Sequence, residues 1–121
     1  MLADSNLIIY AASGNYPKLL NWFLDHEVSV SAISLVEALG YRNLKPREKS
    51  ALENIFSELT ILYPTPKIFQ TAVALRQQRT LSLGDTLIAA TALNHGLVLA
   101  THNKTDFEWI KPLKVVDPLE G

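Results

Sequence analysis

The sequence predicts an α/β fold in three layers, a mostly parallel sheet with helices on both faces. Two observations carry this. Short apolar runs alternate along the chain with longer stretches whose apolar residues recur at helical spacing. That alternation is the pattern of strands and helices packed as a parallel sheet between helical layers. Proline and glycine also punctuate the boundaries, with Pro17, Pro46 and Pro66 at helix starts and Gly14 and Gly96 at helix ends.

Met1 to Ala3 reads as a short strand ended by Asp4, and Ser5 to Ala12 as a helix closed by Ser13-Gly14-Asn15. Tyr16-Pro17 opens a second helix, with Leu19, Leu20, Phe23 and Leu24 on its apolar side. Val28 to Ala32 reads as a buried strand, and Ser34 starts a third helix through Tyr41. A fourth helix begins at Pro46 and carries Leu52, Ile55, Phe56 and Leu59 as its stripe. Ile61 to Tyr63 is a short strand stopped by Pro64, and Pro66 begins a fifth helix through about Gln78. Gly84 introduces a sixth, apolar nearly all round, which ends at Asn94-His95-Gly96. Leu97 to Ala100 is a strand, Thr105 to Ile110 about one helical turn, and Val115-Val116 a last strand.

A length of 121 residues suits one domain, so residues 1–121 are expected to form a single unit. A domain of this size buries roughly two thirds of the surface its unfolded chain exposes and needs no covalent staples. The chain has no cysteine, which excludes disulfides, thiolate metal sites and a cysteine nucleophile. That composition fits a reducing cytosol, and a cytoplasmic location is the expectation. No apolar run approaches the roughly 20 residues needed to span a bilayer. The first residues are already strand-like, so no signal peptide and no membrane association are expected. The formal net charge of −1 excludes a grip on polyanions through overall charge. A nucleic-acid substrate would need local cations; candidates are Arg42, Lys45, Arg47 and Lys49, then Arg76 and Arg79, and Lys104.

The chemistry lies in four segments: Leu2-Ala3-Asp4-Ser5-Asn6, Ser34-Leu35-Val36-Glu37, Leu83-Gly84-Asp85-Thr86, and Thr101-His102-Asn103-Lys104-Thr105-Asp106. Each puts a carboxylate near a boundary between elements. In parallel sheets ligands bind beyond the carboxyl ends of the strands, near the point where strand order reverses. Asp4 and the Thr101–Asp106 loop both follow strands at that edge. Three or four carboxylates in one pocket repel one another at neutral pH unless cations or shared protons intervene. Hard oxygen donors then favour Mg²⁺ or Mn²⁺ over zinc.

Each acid also has a local reading. Asp4 stands where a helix N-cap would, and Ser34-x-x-Glu37 and Thr105-x-x-Glu108 both spell capping boxes. Asp106 would favour the positive end of its helix. Asp85 resists such a reading, because Ile88, Ala89 and Ala92 continue its face as an apolar stripe. A charge heading that face needs a partner or a metal. Of the histidines, His26 and His95 sit at helix ends, and only His102 neighbours an acidic segment. No nucleophile elbow, glycine-rich phosphate loop or dinucleotide fingerprint is present.

In order and separation the four segments resemble those of PIN-domain ribonucleases, and among these the VapC-type toxins of toxin–antitoxin pairs. Ala3-Asp4-Ser5-Asn6-Leu7-Ile8-Ile9-Tyr10 resembles the family's opening block, and Ile33 to Glu37 is similar to the second. Leu83 to Ala92 resembles the third closely, and Thr101 to Phe107 the fourth. Two departures stand out: Ser5 replaces the commoner threonine, and His102 stands where arginine is frequent. The resemblance spans essentially the whole chain. It implies a sheet of about five parallel strands, commonly a homodimer, and a cognate antitoxin that covers or enters the active site. Trp22 and Phe23 read first as core residues, with an interface anchor as the alternative role.

The activity so implied is Mg²⁺- or Mn²⁺-dependent hydrolysis of RNA phosphodiesters by a metal-activated water. Asp4, Asp85 and Asp106 would hold the ion, Glu37 would complete the acidic ring, and Ser5, Asn6, Thr101 and Asn103 would orient these groups. Two other function classes fit parts of the sequence. One is a non-catalytic PIN-like binding module. The other is an aspartyl-phosphate phosphotransfer domain, suggested by Asp4 at a strand end and by Lys111-Pro112. Against it, Asp4-Ser5-Asn6 lacks a second acid two residues on, and Lys111-Pro112 precedes its strand.

Overall fold

The computed structural model describes residues 1–120. Its elements run β1 (Leu2–Ala3), α1 (Ser5–Ser13), α2 (Pro17–Asp25), β2 (Ser29–Ser31), α3 (Ala32–Leu39) and α4 (Pro46–Ser57). They continue as β3 (Thr60–Leu62), α5 (Pro66–Gln78), α6 (Leu83–His95), β4 (Leu99–Ala100), α7 (Lys104–Phe107) and β5 (Val115–Val116). The strands form one five-stranded parallel sheet in the order β3-β2-β1-β4-β5.

That order explains where a site can form. From β1 the chain steps outward to β2 and β3, then returns through α5 and α6 to place β4 on the other side of β1. The reversal opens a crevice beyond the carboxyl ends of β1 and β4, the position where such sheets bind ligands. Asp4 follows β1 and Thr101 follows β4, so the sheet delivers both to this crevice.

Strand alternation divides the core in two. Leu2 and Leu99 are register partners facing Ile68, Leu75, Ile88 and Phe107, which belong to α5, α6 and α7. Ala3 and Ala100 face the opposite way, toward Leu7, Leu19, Phe23, Leu52 and Phe56 of α1, α2 and α4. Helix α6 is the central helix: every residue from Thr86 to Ala92 is buried. Its three alanines in that stretch let neighbouring elements approach closely, and Thr86 and Thr91 satisfy their hydroxyls on the carbonyls of Ser82 and Leu87. Gly96 ends α6 in the left-handed region at φ 62°, a conformation that glycine adopts without strain.

The sequence pattern places α3 two residues late. The helix starts at Ala32 because the Ser31 hydroxyl accepts the Ile33 N–H at 3.2 Å, and β2 shortens accordingly. Helix α6 likewise starts before Gly84, because Ser82 caps it by accepting the Asp85 N–H at 3.1 Å. Phe23 belongs to the core, and Trp22 stacks on His26 with ring centroids 4.9 Å apart. No helix among the described residues is long and apolar enough to cross a membrane.

Candidate active site

Asp4 is the most enclosed of the acids, with 3% of its surface exposed. Its N–H extends the sheet ladder by donating to the Ala100 carbonyl at 2.9 Å. It occupies the N-cap position of α1, yet its side chain makes no capping bond. Instead its Oδ2 accepts a hydrogen bond from Thr101 Oγ1 at 2.9 Å, across the crevice between β1 and β4. Thr101 Oγ1 in turn accepts the Asn103 N–H at 3.1 Å, which fixes the hydroxyl's direction. Burial pushes the Asp4 carboxyl up to a pKa of about 6; the Asp85 and Glu37 charges add to this, and the Thr101 hydrogen bond opposes it.

Glu37 comes from α3 and reaches the same edge. Ser5 Oγ donates to its Oε1 at 2.7 Å, and Ser5 Oγ also lies 2.8 Å from Ser34 Oγ. Ser5 has one proton and gives it to the carboxylate, so Ser34 must be the donor in the serine pair. A directed chain Ser34 to Ser5 to Glu37 thus joins α3 to the first turn of α1. The Glu37 carboxylate lies against Gly84, where a Cβ would stand 2.5 Å from Oε2. Glycine at this position therefore lets the carboxylate lie directly beside the N-terminus of α6.

Asp85, in the first turn of α6, is half-buried. Burial raises its pKa, Glu37 and Asp106 raise it further, and Ser82 opposes them. Asp106 sits exposed on α7. The four acids are therefore within electrostatic reach of one another as a chain, Asp4 with Asp85 and Glu37, and Asp85 with Asp106. None is neutralised by a basic side chain. Among the described residues the ion pairs are His102 with Asp117 at 2.8 Å and Lys104 with Glu120 at 3.1 Å, both outside this set.

The site is an open acidic edge and not a closed cage. Among the described residues no three carboxylates or imidazoles stand close enough together to enclose an ion unaided. The donor set nevertheless fits a hard divalent cation. It offers carboxylates and hydroxyls alone, carries uncompensated negative charge, and holds one carboxylate in a dry position that disfavours its charge. Mg²⁺ in particular keeps several waters and is commonly held by one or two protein carboxylates.

Several expected roles change. Ser34 does not cap α3, because its hydroxyl is buried inside the helix and turned to Ser5. Thr105 does not cap α7, whose N-cap position is Asn103. Asn103 acts through its backbone N–H on Thr101, and the exposed Asn6 makes no side-chain hydrogen bond to the acids among the described residues. Ser34, Ser82 and Gly84 are additions that the sequence pattern did not single out as site residues. Ser5→Ala is expected to lower stability by about 1–2 kcal/mol in urea denaturation, because it strands the buried Ser34 donor and frees Glu37.

The PIN-domain family model matches residues 1–111. The chain belongs to the PIN-domain family. Solved structures agree with this PIN fold. One described as a toxin–antitoxin complex from Klebsiella pneumoniae is 31% identical with a TM-score of 0.80, over 99% of this chain and 98% of that one. VapBC-1 from nontypeable Haemophilus influenzae is 25% identical with a TM-score of 0.78, covering 98% of each chain. DNA-bound VapBC from Salmonella typhimurium, at 23% identity, matches with a TM-score of 0.85 over 97% of this chain and 96% of that one; it supports the fold alone. No match was found among curated proteins.

Proposed function

We propose that this PIN-domain protein is a Mg²⁺- or Mn²⁺-dependent endoribonuclease and the toxin of a toxin–antitoxin pair. The observation that supports it best is the unneutralised acidic edge. Asp4 is buried without a cationic partner, and Asp85, Glu37 and Asp106 follow along the same rim. Left empty, such an edge destabilises the fold; a bound divalent cation turns the same carboxylates into ligands.

Asp4, Asp85 and Asp106 would hold the ion, with Glu37 completing the acidic ring. When bound, the cation supplies Lewis acidity, which makes water nucleophilic near neutral pH and offsets charge at the scissile phosphate. Thr101 keeps Asp4 oriented, and the Ser34–Ser5 pair keeps Glu37 turned to the edge. Water attacks phosphorus, the bond to the 3′-oxygen breaks, and that oxygen takes up a proton. The products carry 5′-phosphate and 3′-hydroxyl ends.

The partner reading is supported by the neighbour from Klebsiella pneumoniae, which is described as a toxin–antitoxin complex. We take a cognate antitoxin and a homodimer as the assembly. Val36 and Leu83 are 71% and 63% exposed beside Glu37 and Gly84, and they offer apolar surface at the rim of the site. The one observation that favours a non-catalytic binding module instead is the lack of a closed cage. End-labelled RNAs incubated with the protein in Mn²⁺ or in EDTA separate the two readings. Cleavage in Mn²⁺ alone, leaving 5′-phosphates, is the expected result. A 2′,3′-cyclic phosphate product rejects the mechanism, and no cleavage of any RNA with Mn²⁺ bound rejects the enzyme.

A further inference from the structure

An acidic edge that hydrolyses a polyanion needs cations nearby to hold the backbone, and the chain's net charge of −1 supplies none in bulk. Lys104 is engaged with Glu120. Arg42, Lys45, Arg47 and Lys49 lie exposed between α3 and the first turns of α4. Arg79 differs from all of these. Its guanidinium carbon lies 5.1 Å from the ring centroid of Trp109; like the loop cations, among the described residues it pairs with no carboxylate.

Trp109 is itself anchored. Its indole N–H donates to the Asp106 carbonyl at 2.8 Å, and its ring packs against the α5–α6 core. Arg79 caps the end of α5, where its N–H donates to the Leu75 carbonyl. From there Thr80 and the buried Leu81 lead straight to Ser82 and the N-terminus of α6. The guanidinium is thus tied to the Asp85 segment through the chain and to the Asp106 segment through Trp109. A guanidinium held over an aromatic face by cation–π attraction spends none of its N–H groups on a carboxylate, and these form the fork that matches two oxygens of a phosphate. The contact also removes rotamer freedom before any ligand arrives.

We propose that Arg79, held on Trp109, is a substrate-phosphate contact flanking the Asp85–Asp106 side of the site. This rests on the ribonuclease reading above. It assigns Arg79 a share of RNA affinity and no share of metal binding or of the chemical step.

The test uses an RNA that the parent cleaves in Mn²⁺, with KM, kcat and Mn²⁺ affinity measured for the parent, Arg79→Ala and Arg79→Lys. Arg79→Ala is expected to raise KM about 5- to 10-fold, with kcat within about two-fold and with Mn²⁺ affinity unchanged. The dependence of log KM on log salt should flatten by about 0.7, the loss of one phosphate contact to a single strand. Arg79→Lys restores the charge but not the planar fork and should recover only part of the KM. An unchanged KM in Arg79→Ala overturns the proposal. So does a fall in kcat together with Mn²⁺ affinity, which would mean that Arg79 serves only to support Asp106. If the parent cleaves no RNA the ribonuclease reading fails first, an outcome distinct from a parent that cleaves and a variant that matches it.

Discussion

Asp85→Asn is expected to lower RNA cleavage in Mn²⁺ at least about 10²- to 10³-fold while leaving the fold intact and the metal-free protein no less stable. Asp85 is the hinge of the acidic edge. Its charge acts on Asp4, and Glu37 and Asp106 act on it, so it couples the α1 and α3 side of the site to the α7 side. Asparagine keeps the side chain's shape, and the backbone N–H of residue 85 still reaches Ser82. The substitution therefore separates two accounts. Asparagine serves as well as aspartate in a purely local helix-terminal role, so a structural Asp85 predicts little change in activity. A ligand Asp85 predicts loss of both metal affinity and rate. Steady-state kinetics with circular dichroism on the same samples distinguish them.

Asp4→Asn is expected to stabilise the metal-free protein at pH 7 by about 3 kcal/mol, while abolishing cleavage. Burial raises the Asp4 pKa from 3.8 to about 6. Between those pH values the folded chain keeps a proton that the unfolded chain has released. The Asp4 contribution to the stability of the metal-free protein is therefore greatest below about pH 4, falls as pH rises to about 6, and then levels off. Asp85, also raised, adds to the same trend. Asparagine cannot ionise and removes the Asp4 share, so the difference between parent and variant should vanish near pH 4 and open toward pH 7. Urea denaturation in EDTA across this range measures it. Below about pH 6 a metal must also displace the Asp4 proton, so Mn²⁺ affinity should weaken there. A site tuned this way trades stability for function.

The fold was legible because its signals are local and repeated. Apolar runs, helical stripes and the prolines at helix starts mark every element, and the all-round apolar stretch from Leu87 to Leu93 identifies the helix that the structure buries at its centre. Family membership followed from the wording of the third and fourth segments. The wiring of the site was less legible, because hydrogen-bond partners distant in sequence leave no spacing to read. Ser34-x-x-Glu37 spells a capping box whether its serine caps the helix or faces inward. The structure turns Ser34 to Ser5 because Ser31 already caps α3. Thr101 and Asp4 are 97 residues apart, and His102 meets Asp117 just past the ends of the adjacent strands β4 and β5; parallel strand order alone brings each pair together. Gly84 looked like punctuation, yet its lack of a Cβ is what lets Glu37 approach the start of α6.

The most direct test of the central claim is a calorimetric titration of Mn²⁺ into the metal-free protein at pH 7, with Asp85→Asn alongside. The account predicts saturable binding by the parent and an affinity weakened about 10-fold or more in the variant. A parent that binds no Mn²⁺, or a variant that binds it as tightly as the parent, would contradict the assignment of these carboxylates to a metal site.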